Sequence, residues 1–154
     1  MNCLDFGHIT EFLNLPLVVK QLGVDTKHAQ PWRECDADVG ARFSLDMMLS
    51  YAPNVKMLLD AGVRVLIYAG DADLMCNWVG NDAWVKALEW SGKAQYNAAE
   101  NRVFVTEANA NAGAVRSFEN LAFVRIFNAG HMVPMDQPAV TYEMINNFFQ
   151  GKKF

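Results

Sequence analysis

Two stretches of the chain decide its fold: residues 63–73, Val-Arg-Val-Leu-Ile-Tyr-Ala-Gly-Asp-Ala-Asp, and residues 123–134, Phe-Val-Arg-Ile-Phe-Asn-Ala-Gly-His-Met-Val-Pro. Each contains a run of β-branched and aromatic residues that stops near a glycine, and such runs are typical of buried strands. We therefore predict core strands over 63–69 and 121–128. Acids follow the first glycine and a histidine follows the second, so ionisable side chains are expected directly after both strands.

A carboxylate and an imidazole at the ends of neighbouring strands form a recurrent catalytic arrangement. Open α/β sheets bind their ligands at the carboxyl edge, where a carboxylate can fix the tautomer of a histidine and stabilise its imidazolium form. In α/β-hydrolases the acid and then the histidine follow a nucleophilic serine along the chain. None of the serines here lies in a Gly-x-Ser-x-Gly sequence: they are Ser44, Ser50, Ser91 and Ser117. The sequence thus predicts two members of a triad without the third.

Composition excludes several other classes of protein. The 154 residues are 52% hydrophobic, which is enough for a substantial core in one domain. A net charge of −4 argues against nucleic-acid binding, because no basic patch is present to neutralise phosphates. The apolar runs are much shorter than the roughly 20 residues that cross a bilayer, and the first residues show no signal-peptide pattern. We therefore expect neither a nucleic acid nor a membrane as partner.

The remaining segments predict the surroundings of the two strands. Polar, irregular sequence over 24–42 is interpreted as a loop. Thr10 is predicted to cap the first helix and Pro16 to break it. Pro53 is predicted to interrupt the second helix or to start its second half, and Gly92 to end the third. The predicted helices share an apolar spacing of three to four residues: 9–22, 42–61, 81–90 and 139–150.

A hairpin or two edge strands are predicted between the third and fourth helices, because 102–107 and 114–119 alternate apolar and polar residues across an Asn/Ala/Gly-rich turn. The resulting order of helices and strands indicates an α/β fold. The order suggests the tail of an α/β sheet rather than an obviously complete fold.

Four segments resemble the serine carboxypeptidases of the cathepsin A and carboxypeptidase Y type. They are Phe-Leu-Asn-Leu-Pro-Leu-Val-Val-Lys-Gln-Leu-Gly-Val (12–24), Trp-Arg-Glu-Cys-Asp (32–36), Leu-Ile-Tyr-Ala-Gly-Asp-Ala-Asp-Leu-Met-Cys-Asn-Trp-Val-Gly-Asn (66–81) and Gly-His-Met-Val-Pro-Met-Asp-Gln-Pro (130–138). The last two are specific to the family. The resemblance implies that residues 1–154 are a C-terminal segment of one serine carboxypeptidase domain with an α/β-hydrolase fold. It also implies a peptidase that releases C-terminal amino acids.

The resemblance also implies roles for individual residues. The second acid of Gly-Asp-x-Asp, Asp73, matches the catalytic aspartate, and His131 matches the catalytic histidine. Asp71 is expected to bind backbone amides of its own loop. Cys76 and Met132 match positions beside the site and are expected to line the pocket for the leaving residue. For Cys76, an inert buried role is about as plausible.

The expected partners follow from catalytic and binding groups that the family has and this sequence lacks. The family's serine and the groups that bind the substrate carboxylate lie N-terminal to the matched region. We therefore expect a peptide substrate and, as partner, the N-terminal portion or large chain of the same enzyme. Cys3 and Cys35 match cysteines whose disulfide partners would lie outside this chain. No metal or other cofactor is expected, since no cluster with ligand spacing is apparent, and the family resemblance implies a lysosomal, vacuolar or secreted enzyme.

Two alternatives remain open from the sequence. Relatives with the same scaffold transfer acyl groups to alcohols or cleave hydroxynitriles with the same aspartate and histidine. The chain could also be a non-catalytic interaction fragment that retains both motifs by descent. The residues that discriminate between these functions lie mostly outside the matched region.

Overall fold

The chain divides into two units, residues 1–49 and residues 50–154. The computed structural model describes residues 7–154, so Cys3 and its predicted disulfide lie outside the described part. The first unit is helical, and its elements are α1 (Gly7–Leu13), α2 (Pro16–Gln21), α3 (Ala37–Arg42) and a 3-10 turn (Asp46–Met48). Cys35 in this unit is a free, exposed thiol. None of the described helices is both long and apolar enough to cross a bilayer.

The helix predicted over 9–22 is two helices. Pro16 cannot continue a helix but fits its first turn, so α2 begins there. Thr10 lies inside α1, and its prediction as a cap was wrong. Between the helices, the Asn14 amide donates to the carbonyl of Trp32 at 2.9 Å and accepts from its N–H at 2.8 Å. These paired bonds attach the following loop to the junction of α1 and α2.

The predicted loop over 24–42 contains α3, because Asp36 provides an N-terminal cap. Its carboxylate accepts the backbone N–H groups of Asp38 and Val39 at 2.9 and 3.0 Å. The first half of the helix predicted over 42–61 is likewise wrong, since only the short 3-10 turn forms there. Regular helix resumes at α4 (Ala52–Asp60), with Pro53 in its first turn as the sequence allowed.

The second unit builds an α/β structure around four strands. After α4 its elements are β1 (Val65–Gly70), α5 (Trp78–Ala87), α6 (Lys93–Ala98), β2 (Arg102–Phe104), β3 (Gly113–Phe118), β4 (Leu121–Ile126), α7 (Val133–Asp136) and α8 (Pro138–Phe149). The strand order is β1-β4-β3-β2. β1 runs parallel to β4, and the other two pairs are antiparallel. This mixed sheet confirms the predicted α/β class.

Both predicted core strands are present and adjacent. β1 pairs with β4 from Val65 opposite Leu121 to Gly70 opposite Ile126. Four successive residues of β4, starting at Leu121, are buried. Burial without alternation means that both faces of the strand are covered, as the continuous apolar run predicted.

Helices cover the sheet on both faces. On one face, α7 and α8 contribute Val133, Val140 and Met144 to a core that includes Val124 and Ile126 of β4. On the other face, α4, α5 and α6 contribute a second cluster together with Leu121 and Phe123: Leu59, Val85 and Tyr96. The alternation of β4 side chains between these clusters makes that strand the centre of the unit.

Two further predictions need correction in detail. The helix predicted over 81–90 is α5, which starts earlier because the Asn77 side chain accepts the Gly80 N–H at 2.8 Å. Gly92 does not end it but precedes α6, a helix that was not predicted. The hairpin of β2 and β3 is confirmed. Its first strand is shorter than predicted because Thr106 and Asn109 exchange backbone hydrogen bonds in a turn.

We expect Met144→Ala to destabilise the unit by about 2–5 kcal/mol, because the deletion leaves a cavity beneath α8. Met144 is fully buried, whereas Tyr142 on the same helix is 75% exposed. Tyr142→Ala is the matched control and should stay within about 0.5 kcal/mol of wild type. Urea unfolding measures both changes. Equal losses for the two variants would contradict the packing described for α8.

Candidate active site

The turn after β1 presents Asp73 through its own backbone. One carboxylate oxygen of Asp73, Oδ1, accepts the N–H groups of Met75 and Cys76 at 2.9 and 3.0 Å. This arrangement is the local side-chain-to-backbone turn that aspartate favours. Because both bonds use Oδ1, the second oxygen remains available on the other side of the carboxylate.

The turn after β4 presents His131 to that second oxygen. The Nδ1 atom of His131 lies 2.9 Å from Oδ2 of Asp73. The Asp73 side chain is 6% exposed, whereas the imidazole is 62% exposed. A buried carboxylate therefore holds one ring nitrogen while the remainder of the ring faces the surroundings, which brings together the two residues predicted to be catalytic.

Backbone contacts join the two turns directly. The ladder between β1 and β4 continues beyond the strands, with Asp71 N–H donating to the Ile126 carbonyl at 2.9 Å and Ala72 N–H to that of Ala129, also at 2.9 Å. Gly70 makes this approach possible. A Cβ at that position would lie 2.3 Å from the Ala129 carbonyl oxygen and 2.4 Å from that of Gly130. Glycine is required here because backbone, which cannot move aside, occupies the space.

A second set of contacts holds the histidine turn from behind. Asp136 accepts the Gly130 N–H at 2.7 Å, and the Gln137 amide donates to the Asn128 carbonyl at 3.1 Å. Asn128 itself has a φ of 55°, a left-handed conformation that asparagine tolerates better than most residues. Neither Asp136 nor Gln137 was predicted from the sequence to be a site residue. Their signal was present in the segment 130–138, where an acid and an amide follow the histidine.

Asp71 does not have the role predicted for it. Its carboxylate lies 3.6 Å from the Arg125 guanidinium, whereas the backbone amides of the turn bind Asp73 instead. The prediction assigned the amide-binding role to the wrong acid. Side-chain direction decides this, because only the second acid faces back over its own turn.

Opposing influences act on the ionisation of Asp73. Desolvation raises its pKa, but the Cys76 amide, the hydrogen bond and charge of His131, and the Met75 amide together lower the pKa by more. The pKa of Asp73 therefore lies below its ordinary value of 3.8. The carboxylate stays ionised at neutral pH, as a group that stabilises an imidazolium must.

Cys76 and Met132 both lie beside this pair in the chain and are exposed. The Cys76 thiol is exposed in this chain, unlike the buried side chain of the alternative considered for it. Its Sγ and ligand atoms of Asp73 and His131 all lie within 4.8 Å of one another. Thiolate, imidazole and carboxylate are zinc-type ligands, so these three residues could hold a metal ion. Sequence spacing did not reveal this cluster, because Cys76 and His131 are brought together only by folding.

We expect Gly70→Ala to separate the two turns and weaken the contact between Asp73 and His131. The added methyl group would require a backbone shift of about an ångström to reach ordinary contact. Gly40→Ala in α3 is the control, because nothing lies within 4 Å of its Cβ position and alanine favours helix. Backbone amide NMR shifts measure the result. Unchanged signals from residues 128–131 in Gly70→Ala would contradict the close approach described here.

The low pKa of Asp73 predicts its pH dependence. Because the pKa of Asp73 is lower in the folded than in the unfolded state, ionisation of this carboxyl group stabilises the folded protein at pH values above about 4. The contribution is lost as the pH falls through the folded-state pKa. His131 lowers the pKa of Asp73, so His131→Ala should raise that pKa and move the titration of the carboxyl group to higher pH. Carbon NMR of the carboxylates measures the change. His28→Ala is the control, since His28 pairs with Asp25 instead, and an Asp73 titration unaffected by His131→Ala would refute the coupling.

Sequence comparison relates the chain to one family of known proteins. A family model described as serine carboxypeptidase matches residues 1–151. Carboxypeptidase Y homolog A of Botryotinia fuckeliana (strain B05.10) is 43% identical over 144 residues, covering 92% of this chain and 26% of that protein. Serine carboxypeptidase-like 49 of Arabidopsis thaliana is 38% identical over 149 residues, covering 97% and 28%. The chain thus spans less than a third of the length of either relative.

A solved structure supports the same relationship. The crystal structure of Kex1(Δ)p, a prohormone-processing carboxypeptidase from Saccharomyces cerevisiae, superimposes with a TM-score of 0.73 at 26% identity, covering 94% of this chain and 31% of that one. This likeness confirms the predicted partial α/β-hydrolase fold. Together with the match over residues 1–151, it shows that the chain belongs to the serine carboxypeptidase family, of which it represents a C-terminal portion.

Proposed function

We propose that this chain supplies the aspartate and histidine of a serine carboxypeptidase that releases C-terminal amino acids from peptides by acyl transfer. The observation that carries the proposal is the 2.9 Å contact between His131 Nδ1 and Asp73 Oδ2. A buried carboxylate orients an imidazole whose other nitrogen can exchange a proton with a serine and a substrate. Family membership supports the same reaction.

The chemistry follows from the two ring nitrogens. Asp73 accepts the Nδ1 proton, which leaves Nε2 of His131 as the base. Nε2 removes the proton of a serine hydroxyl as that oxygen attacks the carbonyl of the last peptide bond. His131 then donates this proton to the amine of the leaving amino acid as the C–N bond breaks. Water repeats the sequence and releases the shortened peptide from the serine.

Cys76 and Met132 are proposed to line the pocket of the leaving residue. Both are adjacent in the chain to site elements: the Cys76 amide binds Asp73, and Met132 follows His131. Their sulfur-containing side chains are exposed, apolar and adaptable, which suits contact with varied amino-acid side chains. They would contribute to binding rather than to proton transfer.

The serine is proposed to come from the N-terminal portion or large chain of the same enzyme, which pairs with the outer edge of β1. Among the described strands, β1 is bonded only to β4. Val65 and Asp71 donate toward the β4 side, so by alternation the N–H groups of Leu66 and Tyr68 face the other edge. An unpaired edge of this kind recruits a further strand. The family resemblance supports a lysosomal, vacuolar or secreted location for the assembled enzyme.

Serine-directed labelling tests the division of the triad. The 154-residue chain alone should not react with a fluorophosphonate probe, whereas the assembled enzyme should be labelled on the N-terminal portion. Stoichiometric labelling of this chain by itself would contradict the proposal. If the assembly forms but is never labelled, the chain is an interaction fragment. Labelling with acyl transfer to alcohols in place of hydrolysis would indicate the acyltransferase alternative.

Turnover of blocked dipeptides by the assembled enzyme should depend on the second acid of the turn. Asp73→Asn should lower kcat about 10⁴-fold, as in the reference serine protease, because the amide favours the wrong imidazole tautomer. His131→Ala should cost at least as much, and the double variant little more, since the residues act as a unit. Asp71→Asn is the matched control. Its partly exposed ion pair contributes up to about 1 kcal/mol, so less than about a tenfold loss is expected. The reverse ranking of the two asparagine variants would refute the assignment of Asp73.

A further inference from the structure

Arg125 occupies a position between the two turns of the candidate site. It lies in β4 one residue before the strand ends, opposite Ala69 of β1 and Ala114 of β3. Its side chain is about one-third exposed. Small side chains on both neighbouring strands leave room for a long cationic side chain across this end of the sheet.

Three groups hold the guanidinium there. Its carbon lies 3.9 Å from the ring centre of Trp78 and 5.2 Å from that of Phe127, so the cation contacts two aromatic rings. The third group is the carboxylate of Asp71 at 3.6 Å. Arginine stacks on tryptophan more effectively than on other rings, through both its charge and its planar shape. The Nε atom is buried and has no hydrogen-bond partner among the described residues, so stacking and the ion pair determine the position of the group.

The three contacts fall on the backbone that carries the site. Asp71 lies two residues before Asp73, and Trp78 begins α5 two residues after Cys76, whose N–H binds Asp73. The guanidinium therefore contacts both ends of the turn that presents the carboxylate. Phe127 directly follows β4 and leads into the histidine turn. Arg125 thus links the start of the aspartate turn, the end of that turn and the residue that leads into the histidine turn. Among the contacts described for this site, no other side chain links all three.

We propose that Arg125 is a positioning residue, which fixes the turn bearing Asp73 in register with His131 through Asp71 and Trp78. The proposal rests on the proposed function, because it takes the contact between Asp73 and His131 as the arrangement that must be maintained. Arg125 touches neither of these residues and takes no part in proton transfer. It acts by limiting how far the turn can move relative to the end of β4.

A residue that only stabilised the sheet would produce a different result. Its loss would lower the melting temperature without changing the contact between the carboxylate and the imidazole in the folded molecules. Arg116 on β3 offers the matched control. It also contacts an aromatic ring, with its guanidinium carbon 5.9 Å from the ring centre of Tyr96, but it has no contact with either turn.

The tautomer of His131 in the full chain provides the test. In nitrogen NMR spectra recorded well above the usual pKa of histidine, a bond to Asp73 keeps the proton on Nδ1. His131→Ala identifies the signals, and Asp73→Ala gives the reference without an acceptor. We expect Arg125→Met to lose at least half of the difference between wild type and Asp73→Ala. Arg125→Lys should lose less, because it retains the charge opposite Asp71, and Arg116→Met should match wild type.

Each outcome distinguishes the two claims. If wild type already resembles Asp73→Ala, the pairing of Asp73 with His131 fails, and with it the proposed function and this inference. If wild type differs from Asp73→Ala but Arg125→Met matches wild type, only the role of Arg125 is overturned. A change in Arg116→Met as large as that in Arg125→Met would also overturn it. If Arg125→Met does not fold, Arg125→Lys and Trp78→Leu decide, and wild-type spectra for both would refute the inference.

Discussion

Parallel strands bring their carboxyl ends to the same edge of a sheet, and the pairing of β1 with β4 is the constraint on which the rest of the site depends. Six residues of each strand are in register, and the backbone bonding continues past the strands to Ala72 and Ala129. Because Gly70 has no side chain, the two turns meet through their main chains. The distance between the carboxylate and the imidazole is therefore set mostly by backbone, which is less variable than side-chain packing.

The site divides its two residues between different environments. Asp73 is nearly buried and receives hydrogen bonds on both oxygens, which fixes its orientation and keeps it ionised. His131 is mostly exposed, and hydrogen bonds between the side chains of Asp136 and Gln137 and neighbouring backbone groups hold its turn in place. Rigid support combined with an accessible ring suits a residue that exchanges protons. Cys76 is exposed as well, and its Sγ lies within 4.8 Å of a ring nitrogen of His131.

The site also contains an ion pair that includes neither Asp73 nor His131. Asp71 pairs with Arg125, and the Arg125 guanidinium also lies over the rings of Trp78 and Phe127. Of the two acids that follow β1, Asp73 therefore pairs with His131 and Asp71 pairs with Arg125. The choice between them depends on which side of the turn each side chain faces.

Sequence alone determined the elements whose signals are local. The apolar runs predicted β1 and β4, the alternation predicted the hairpin of β2 and β3, and the spacing of apolar residues predicted α8. The family motifs identified Asp73 and His131. Caps and short helices were less predictable: α3 depends on the Asp36 cap and α6 follows directly on α5, and both were missed.

Tertiary structure decided the contacts between residues that are distant along the chain. Asp73 and His131 are separated by 58 positions, and their meeting requires a parallel pairing that local sequence does not encode. The partner of Asp71, the clustering of Cys76 with Asp73 and His131, and the stacking of Arg125 on Trp78 depend on the same pairing. Periodicity and propensity report only how a segment folds on itself. The direction of a side chain across a turn, and what it meets there, are fixed only when the neighbouring strand is in place.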